Sequence, residues 1–363
     1  MPNSIKIARI FGIDIKIHYS WIIVFLLVVL SLSEFFPTLH KEWSQLIVWI
    51  LSIITAILLF ISVLIHELCH SIVGNAQGIS IRSISLFIFG GVAQLTEEPK
   101  KPMVELIMAI AGPLASIILA GLFYLLSFIN QIYVHEVFIY LSLINALLAG
   151  FNLIPAFPLD GGRIFRSILW KISNNLIKAT KISLIISKFF AYLLALWGIF
   201  DIFNDLTIPG IWRILIAWFL IQAAELSYER VMIQDTLSGI LLEQLMDQHA
   251  VTVLPTLQIN ELVDNYFLHF HQGIFPVVSS SGEFLGMISV QDVKKIPKDN
   301  WEKYSVAEMM KTEINTAKRS DTAYDAIALL SLDNQNAIAI IENKKFLGMV
   351  SKNALGLVLS LKA

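Results

Sequence analysis

This chain has one cysteine and little charge for its length. The lone thiol, Cys69, forbids an intrachain disulfide, so stability has to come from elsewhere. Only 15% of the 363 residues are charged and the net charge is -2, which leaves no basic surface for nucleic acid. A small-residue cleavage site is also missing. Ser31-Leu-Ser-Glu34-Phe-Phe-Pro37 follows the first apolar run, so that run reads as a retained span rather than a removed signal peptide.

What the chain has in excess is apolar surface. Hydrophobic residues make up 56% of it and the mean hydropathy is +0.72, too apolar for a soluble protein and typical of several membrane spans. The excess ends near Leu226. A membrane domain over 1–226, a polar helical linker over 227–244 and a soluble part over 245–363 are therefore expected. Ile5 to His18 alternates at period two around Gly12, a hairpin pattern at the membrane surface. Spans are expected at 19–36, 44–66, 104–128, 136–154, 182–203 and 211–227, each near the ~20 residues a bilayer needs. Arg213 makes the last the weakest. Lys6, Arg9, Lys16, Arg82, Lys100, Lys101, Arg163, Arg166, Lys171, Lys178 and Lys181 fall on one side, and little beyond Lys41 and Arg213 on the other. By the positive-inside rule, this predicts a multi-pass protein of the cell membrane with both termini in the cytoplasm.

Ionisable residues inside such spans are costly and usually functional. His66-Glu67-Leu-Cys-His70 ends the second run. Its histidines are about one helical turn apart, so they face the same way and can share a metal ion. Glu67 lies beside them, where it can handle the protons of a water. A chance match is the competing reading. Catalytic zinc commonly takes three protein ligands and leaves one position open. Asp160, in Asn152-Leu-Ile-Pro155-Ala-Phe-Pro158-Leu-Asp160-Gly161-Gly162-Arg163, is the acid best placed to be the third. Taken alone, Asp160-Gly-Gly is most often a turn, with Asp160 capping the helix that follows. Residues 78–95 alternate like strands and are broken at Gly90-Gly91, which fits either a re-entrant hairpin beside the metal or a surface loop. Gly112 and Ser116 allow a close helix contact, as in ordinary membrane packing. Cys69 is about 60° from His66 around the helix and reads as a small filler.

His66-Glu67-x-x-His70 and Asn152-x-x-Pro155-x-x-Pro158-Leu-Asp160-Gly161 together resemble the two diagnostic motifs of the site-2 protease family of intramembrane zinc metalloproteases. Phe89-Gly90-Gly91 and Gly112-x-x-x-Ser116 match secondary features, over about residues 1–225. The resemblance implies one zinc ion (Zn2+) per chain on His66, His70 and Asp160, with Glu67 as catalytic acid/base. It also implies a transmembrane protein substrate in the lipid bilayer. Asn152 carries over as a donor to an oxyanion or to substrate backbone; a helix-end hydrogen bond is an equal alternative. The interval between the second and third spans is too short for the PDZ domain many relatives carry there.

The soluble part repeats. Phe284-Leu-Gly286-Met-Ile-Ser289 returns as Phe346-Leu-Gly348-Met-Val-Ser351, a period of just over sixty residues. The copies, 245–300 and 301–363, resemble a pair of cystathionine-β-synthase-type (CBS) domains. That resemblance implies an adenine nucleotide, a regulatory role and a homodimer as a further partner. Ser289-Val-Gln-Asp292 fits the family's phosphate and ribose contacts, whereas Ser351-Lys-Asn-Ala354 lacks the acid, so at most one full nucleotide site is expected. A purely structural pair is the alternative. His269 and His271 read as surface residues without a third ligand.

The expected fold is thus a polytopic α-helical membrane protein with about six spans, a small membrane-associated β-hairpin or sheet, and a cytoplasmic α/β CBS-domain pair. The rival functions are a CBS-regulated transporter or channel and a catalytically inactive membrane scaffold. Neither has reason to match a His-Glu-x-x-His face with an acid at the same depth.

Overall fold

The computed structural model describes residues 4–87, 90–95, 99–333 and 336–362. Phe89, part of one family feature, lies outside the described residues. The chain divides into two units, Met1–Glu229 and Arg230–Ala363.

The first unit opens with the expected hairpin, β1 (Ser4–Ile10) and β2 (Ile13–His18). Phe11 and Gly12 join the strands with positive φ at both positions, which suits the right-handed twist of a two-residue turn. Alternation sorts the isoleucines: Ile13 and Ile15 are buried, while Ile5 and Ile7 face outward. β2 then pairs in parallel with β3 (Ile81–Phe87), and β3 pairs antiparallel with β4 (Gly90–Leu95). The order is β1-β2-β3-β4, so β4 is an edge. The strand pattern of residues 78–95 is therefore a sheet rather than a surface loop. Ile13, Ile15, Ile84 and Leu86 close its inner face over Leu68.

Among the described residues seven helices begin in this unit: α1 (Ser20–Leu39), α2 (Gln45–Ala76), α3 (Pro102–Leu126), α4 (Ile132–Asn152), α5 (Asp160–Ser173), α6 (Leu176–Phe203) and α7 (Thr207–Ser238), the last of which ends beyond Glu229. All but α5 are long and apolar enough to cross a membrane. Local chemistry sets their starts. Ser44 caps α2 by accepting from the Ile47 amide, Pro102 opens α3 where no amide is needed, and Asn175 caps α6 at 2.8 Å from the Lys178 nitrogen. Their outer faces carry large exposed side chains such as Leu125, Trp197 and Phe203, as expected of surfaces that meet lipid.

One boundary departs from expectation. α2 does not stop near residue 66 but continues to Ala76, so His66, Glu67 and His70 lie inside it. Polar side chains on one face leave the backbone ladder intact, and hydropathy alone reads them as an end. α7 runs to Ser238, so the first part of the stretch expected as a polar helical linker is its continuation. Arg213 is accommodated near the start of α7 because it pairs with Asp201 of α6 and lies 4.6 Å from the Trp197 ring centroid. Gly198 and Gly210 let α6 and α7 approach there, since a Cβ on either would meet the other's carbonyl oxygen.

The second unit holds two similar modules. The first contains α8 (Ile259–Leu262), α9 (Leu268–Phe270), the hairpin β5 (Ile274–Val278) and β6 (Phe284–Ser289), α10 (Val290–Val293) and α11 (Val306–Met309). The second contains β7 (Thr316–Ala317), α12 (Ala323–Asp333), the hairpin β8 (Ala337–Glu342) and β9 (Lys345–Ser351), and α13 (Lys352–Lys362). Each has its own core, one around Phe275 and Ile288, the other around Ile340 and Val350. The modules meet across Met287 and Met349, with Phe284 stacked on Phe346. That pairing is the sequence repeat expressed as approximate twofold symmetry.

Candidate metal centre

α2 places His66 and His70 one turn apart on the face that meets α3, and α5 begins with Asp160 opposite them. The three donor atoms converge. His66 Nε2, His70 Nε2 and Asp160 Oδ2 lie 3.2 Å from one another on all three sides. Ligand atoms of a tetrahedral zinc at ~2.0–2.1 Å stand about 3.3 Å apart, so the triangle fits that ion. Two imidazoles and a carboxylate are also a donor set that suits zinc. Among the described residues this is the one cluster of three such donors.

The reading of Asp160 as a helix cap does not hold. Leu159 occupies the cap position, and the Asp160 carboxylate turns to the imidazoles instead of its own helix. A tight loop makes this possible. Gly161 and Gly162 sit so close to the carbonyls of Leu153 and Ile154 and to the backbone of Ala156 and Phe157 that any side chain would collide. The Phe157 amide donates to Ser187 Oγ of α6 at 2.7 Å, which pins the loop just ahead of Asp160.

α3 orients the imidazoles. His70 Nδ1 donates to the Met108 carbonyl at 2.7 Å. A carbonyl can only accept, so the proton of a neutral His70 sits on Nδ1 and the Nε2 lone pair faces the cluster. His66 Nδ1 is 2.9 Å from Ser116 Oγ, on the same face of α3. Gly112, between Met108 and Ser116, makes room: a Cβ there would overlap Nε2 of both histidines. The small pair Gly112 and Ser116, readable in sequence as ordinary packing, thus lines the cluster. The Met108 contact had no signal in the sequence, because a carbonyl belongs to every residue.

Glu67 projects from α2 toward β4, where its carboxyl group packs on the Gly91 backbone. Among the described residues no hydrogen bond to its carboxylate is found. Asn152 closes α4 half-buried, and its amide bonds to none of the three converging groups. Cys69 is half-buried and is not one of the converging donors.

In the second unit Ser289 and Asp292 form a capping box at α10. Ser289 Oγ lies 2.5 Å from Asp292 Oδ2, and the Asp292 amide donates back to Ser289 Oγ at 3.4 Å. Lys295 Nζ is 3.0 Å and Lys311 Nζ 3.7 Å from the other carboxylate oxygen. Burial pushes the Asp292 carboxyl up, but the bond from Ser289 and the two lysines outweigh it and hold the group below the usual range. In the second copy Ser351 caps α13 through the Ala354 amide at 3.2 Å, with no acid beside it. His269 and His271 are exposed.

Residues 54–135 and 129–196 match Peptidase family M50, and residues 242–299 and 306–355 match the CBS domain. A zinc metalloprotease of Methanocaldococcus jannaschii is 32% identical over 354 residues, which cover 97% of this chain and 95% of that one. A Synechocystis sp. relative that also carries the zinc-metalloprotease name is 32% identical over 361 residues, 97% of this chain and 94% of that one. The solved structure of a site-2 protease from M. jannaschii is 36% identical and covers 61% of this chain and 94% of that one, with a TM-score of 0.42. The chain belongs to Peptidase family M50, the site-2 protease family, and is a zinc metalloprotease with a C-terminal pair of CBS domains.

Proposed function

We propose that the protein cleaves peptide bonds within transmembrane segments of other membrane proteins, using His66, His70 and Asp160 to hold zinc and Glu67 to move protons. The observation that carries this reading is the position of the cluster. Two of its three donors and Glu67 belong to α2, a 32-residue helix of about 48 Å with an apolar stretch of mean hydropathy 2.9. Among the described residues, six helices of 20 to 32 residues that are apolar enough to cross a membrane, together with the basic-residue asymmetry, support a cell-membrane location with both termini in the cytoplasm.

A bound zinc ion supplies Lewis-acid polarisation and acidifies water near neutral pH. The chain's own groups do the rest. Ser116 and the Met108 carbonyl fix the imidazoles so that no reorganisation is needed on binding. Glu67 accepts the proton of the attacking water and returns it to the leaving amine. Asn152 donates to the carbonyl oxygen as charge develops there. A helical substrate hides its carbonyls and has to unwind locally. The open edge of β4, beside Glu67, is suited to hold the unwound segment by strand addition.

The test is cleavage of a single-span protein with helix-breaking residues near its cytoplasmic end, in lipid nanodiscs, with products mapped by mass spectrometry. Cuts inside the apolar segment are expected. Cuts confined to the soluble flanks would overturn the intramembrane reading.

For the CBS pair, the proposal is regulation by one adenine nucleotide at Ser289 and Asp292, with dimerisation through the same domains. A structural pair without ligand is the second reading. It is favoured by the Asp292 carboxylate being engaged by Ser289 and Lys295. Calorimetry of the full chain with AMP, ADP and ATP separates them. Regulation requires binding that Asp292→Asn abolishes and a change in cleavage rate; no binding and no change leave the structural reading.

A further inference from the structure

Arg166 and Glu105 form an ion pair that the proposed chemistry does not use. Glu105 is in the first turns of α3 and Arg166 is six residues along α5 from Asp160. They are 0% and 3% exposed. Arg166 Nε donates to Glu105 Oε1 at 2.8 Å and Nη2 bonds the same oxygen. The guanidinium also lies 5.2 Å from the ring centroid of Phe157, the residue whose amide is held by Ser187.

Stability is a poor explanation for such a pair. Removing two charges from solvent is costly, and well-packed apolar replacements are often as stable or more so. What a buried guanidinium–carboxylate pair does supply is one fixed geometry. Here the geometry bears on the cluster. On α3, Met108 and Ser116 hold the two imidazoles, and Glu105 is one turn before Met108. On α5, Arg166 is rigidly linked to Asp160 through under two turns of helix. A slide or rotation of α5 along α3 would carry Asp160 Oδ2 away from both histidines.

We infer that the Glu105–Arg166 pair is a positioning device: it locks the register of α5 on α3 and so holds Asp160 at the imidazole pair. One helix, α3, then aligns all three donors, two from α2 and one from α5. Arg166 also clamps the Phe157 loop that leads into Asp160. The inference rests on the proposed zinc reading, and it assigns to neither Glu105 nor Arg166 any contact with the ion or substrate.

The test measures zinc affinity by chelator competition, together with thermal stability, on the full-length protein. The central variant is Glu105→Leu with Arg166→Met, which removes both members of the pair together. The account expects near-wild-type melting with zinc bound about 10- to 100-fold more weakly, the range seen when groups that orient metal ligands are removed. Arg166→Lys, which keeps the charge but loses the fork, is expected to fall between wild type and the double variant. Asp201→Leu with Arg213→Met is the control, because that pair joins α6 to α7, neither of which carries a donor of the cluster; it is expected to keep wild-type affinity. Wild-type zinc affinity in the Glu105/Arg166 double variant would overturn the inference. If the double variant does not fold, wild-type affinity in Arg166→Lys overturns it instead. Absence of zinc from the wild-type protein would overturn the metal reading first, and this inference with it.

Discussion

Replacing Gly112 by alanine adds one methyl group at the point where α3 faces the imidazoles. That carbon would stand 2.6 Å from His66 Nε2 and closer still to His70 Nε2. An ordinary contact is 3.4 Å or more and the new carbon would stand 2.1 Å from His70 Nε2, so the groups have to part by about 0.8 Å at His66 and about 1.3 Å at His70, several times the ~0.2 Å tolerance of metal–ligand distances. The rings cannot simply swing away, because Ser116 and Met108 hold their far nitrogens from the same helix. Loss of zinc affinity should therefore exceed the ~100-fold upper range for disturbing an orienting group. Helix propensity works in the opposite direction: alanine favours a helix interior by ~1 kcal/mol over glycine. Gly121, on the same helix with open space around it, gives the matched control. Zinc content and affinity of Gly112→Ala and Gly121→Ala, measured beside their melting temperatures, separate the two effects. Gly121→Ala should keep its zinc and melt no lower than wild type. Gly112→Ala should fold and lose the metal. Wild-type zinc affinity in Gly112→Ala would refute the convergence of the histidines on α3.

Other expectations follow from the same geometry. Ser116→Ala removes the partner of His66 Nδ1 and should weaken zinc about 10- to 100-fold, while costing about 1 kcal/mol of stability in a denaturation assay. Val92→Pro, placed in β4, should slow cleavage of a transmembrane substrate while zinc content stays at wild type; unchanged cleavage would exclude strand addition at that edge. His40, just after α1, is raised above its usual value chiefly by its bond to Glu136, against a smaller opposing effect of burial, with Glu42 adding to it. A raised value means that the pair's contribution is full below about pH 6.5 and is lost as pH rises through the folded value. Melting temperature should fall over that window in wild type and stay flatter in His40→Gln.

The sequence was most informative where a side chain had to announce itself. His66, Glu67, His70 and Asp160 are visible because ionisable groups are rare in apolar runs, and their spacing dictates a shared face. The hairpin at Phe11-Gly12 and the repeat in the second unit were legible for similar reasons, period two in one and self-similarity in the other. What was hidden depends on atoms or partners that sequence does not distinguish. The Met108 carbonyl has no letter of its own. Glu105 and Arg166 are distant in sequence, and Arg166 reads as one more basic residue of a cytoplasmic loop. The end of α2 was set too early because polar residues look like boundaries, whereas a helix can carry them on one covered face. The Asp292 carboxylate, read from its motif as a ribose contact, is engaged in a helix cap, a use that the same motif equally allows.

The central claim is that three side chains hold zinc and a fourth moves protons. Its most direct test is zinc stoichiometry with cleavage of a single-span substrate, measured on the same preparations of wild type, Glu67→Gln and Asp160→Asn. The account predicts one zinc and cleavage in wild type, one zinc without cleavage in Glu67→Gln, and neither in Asp160→Asn. Cleavage by Glu67→Gln at the wild-type rate, or full zinc retention by Asp160→Asn, would contradict it.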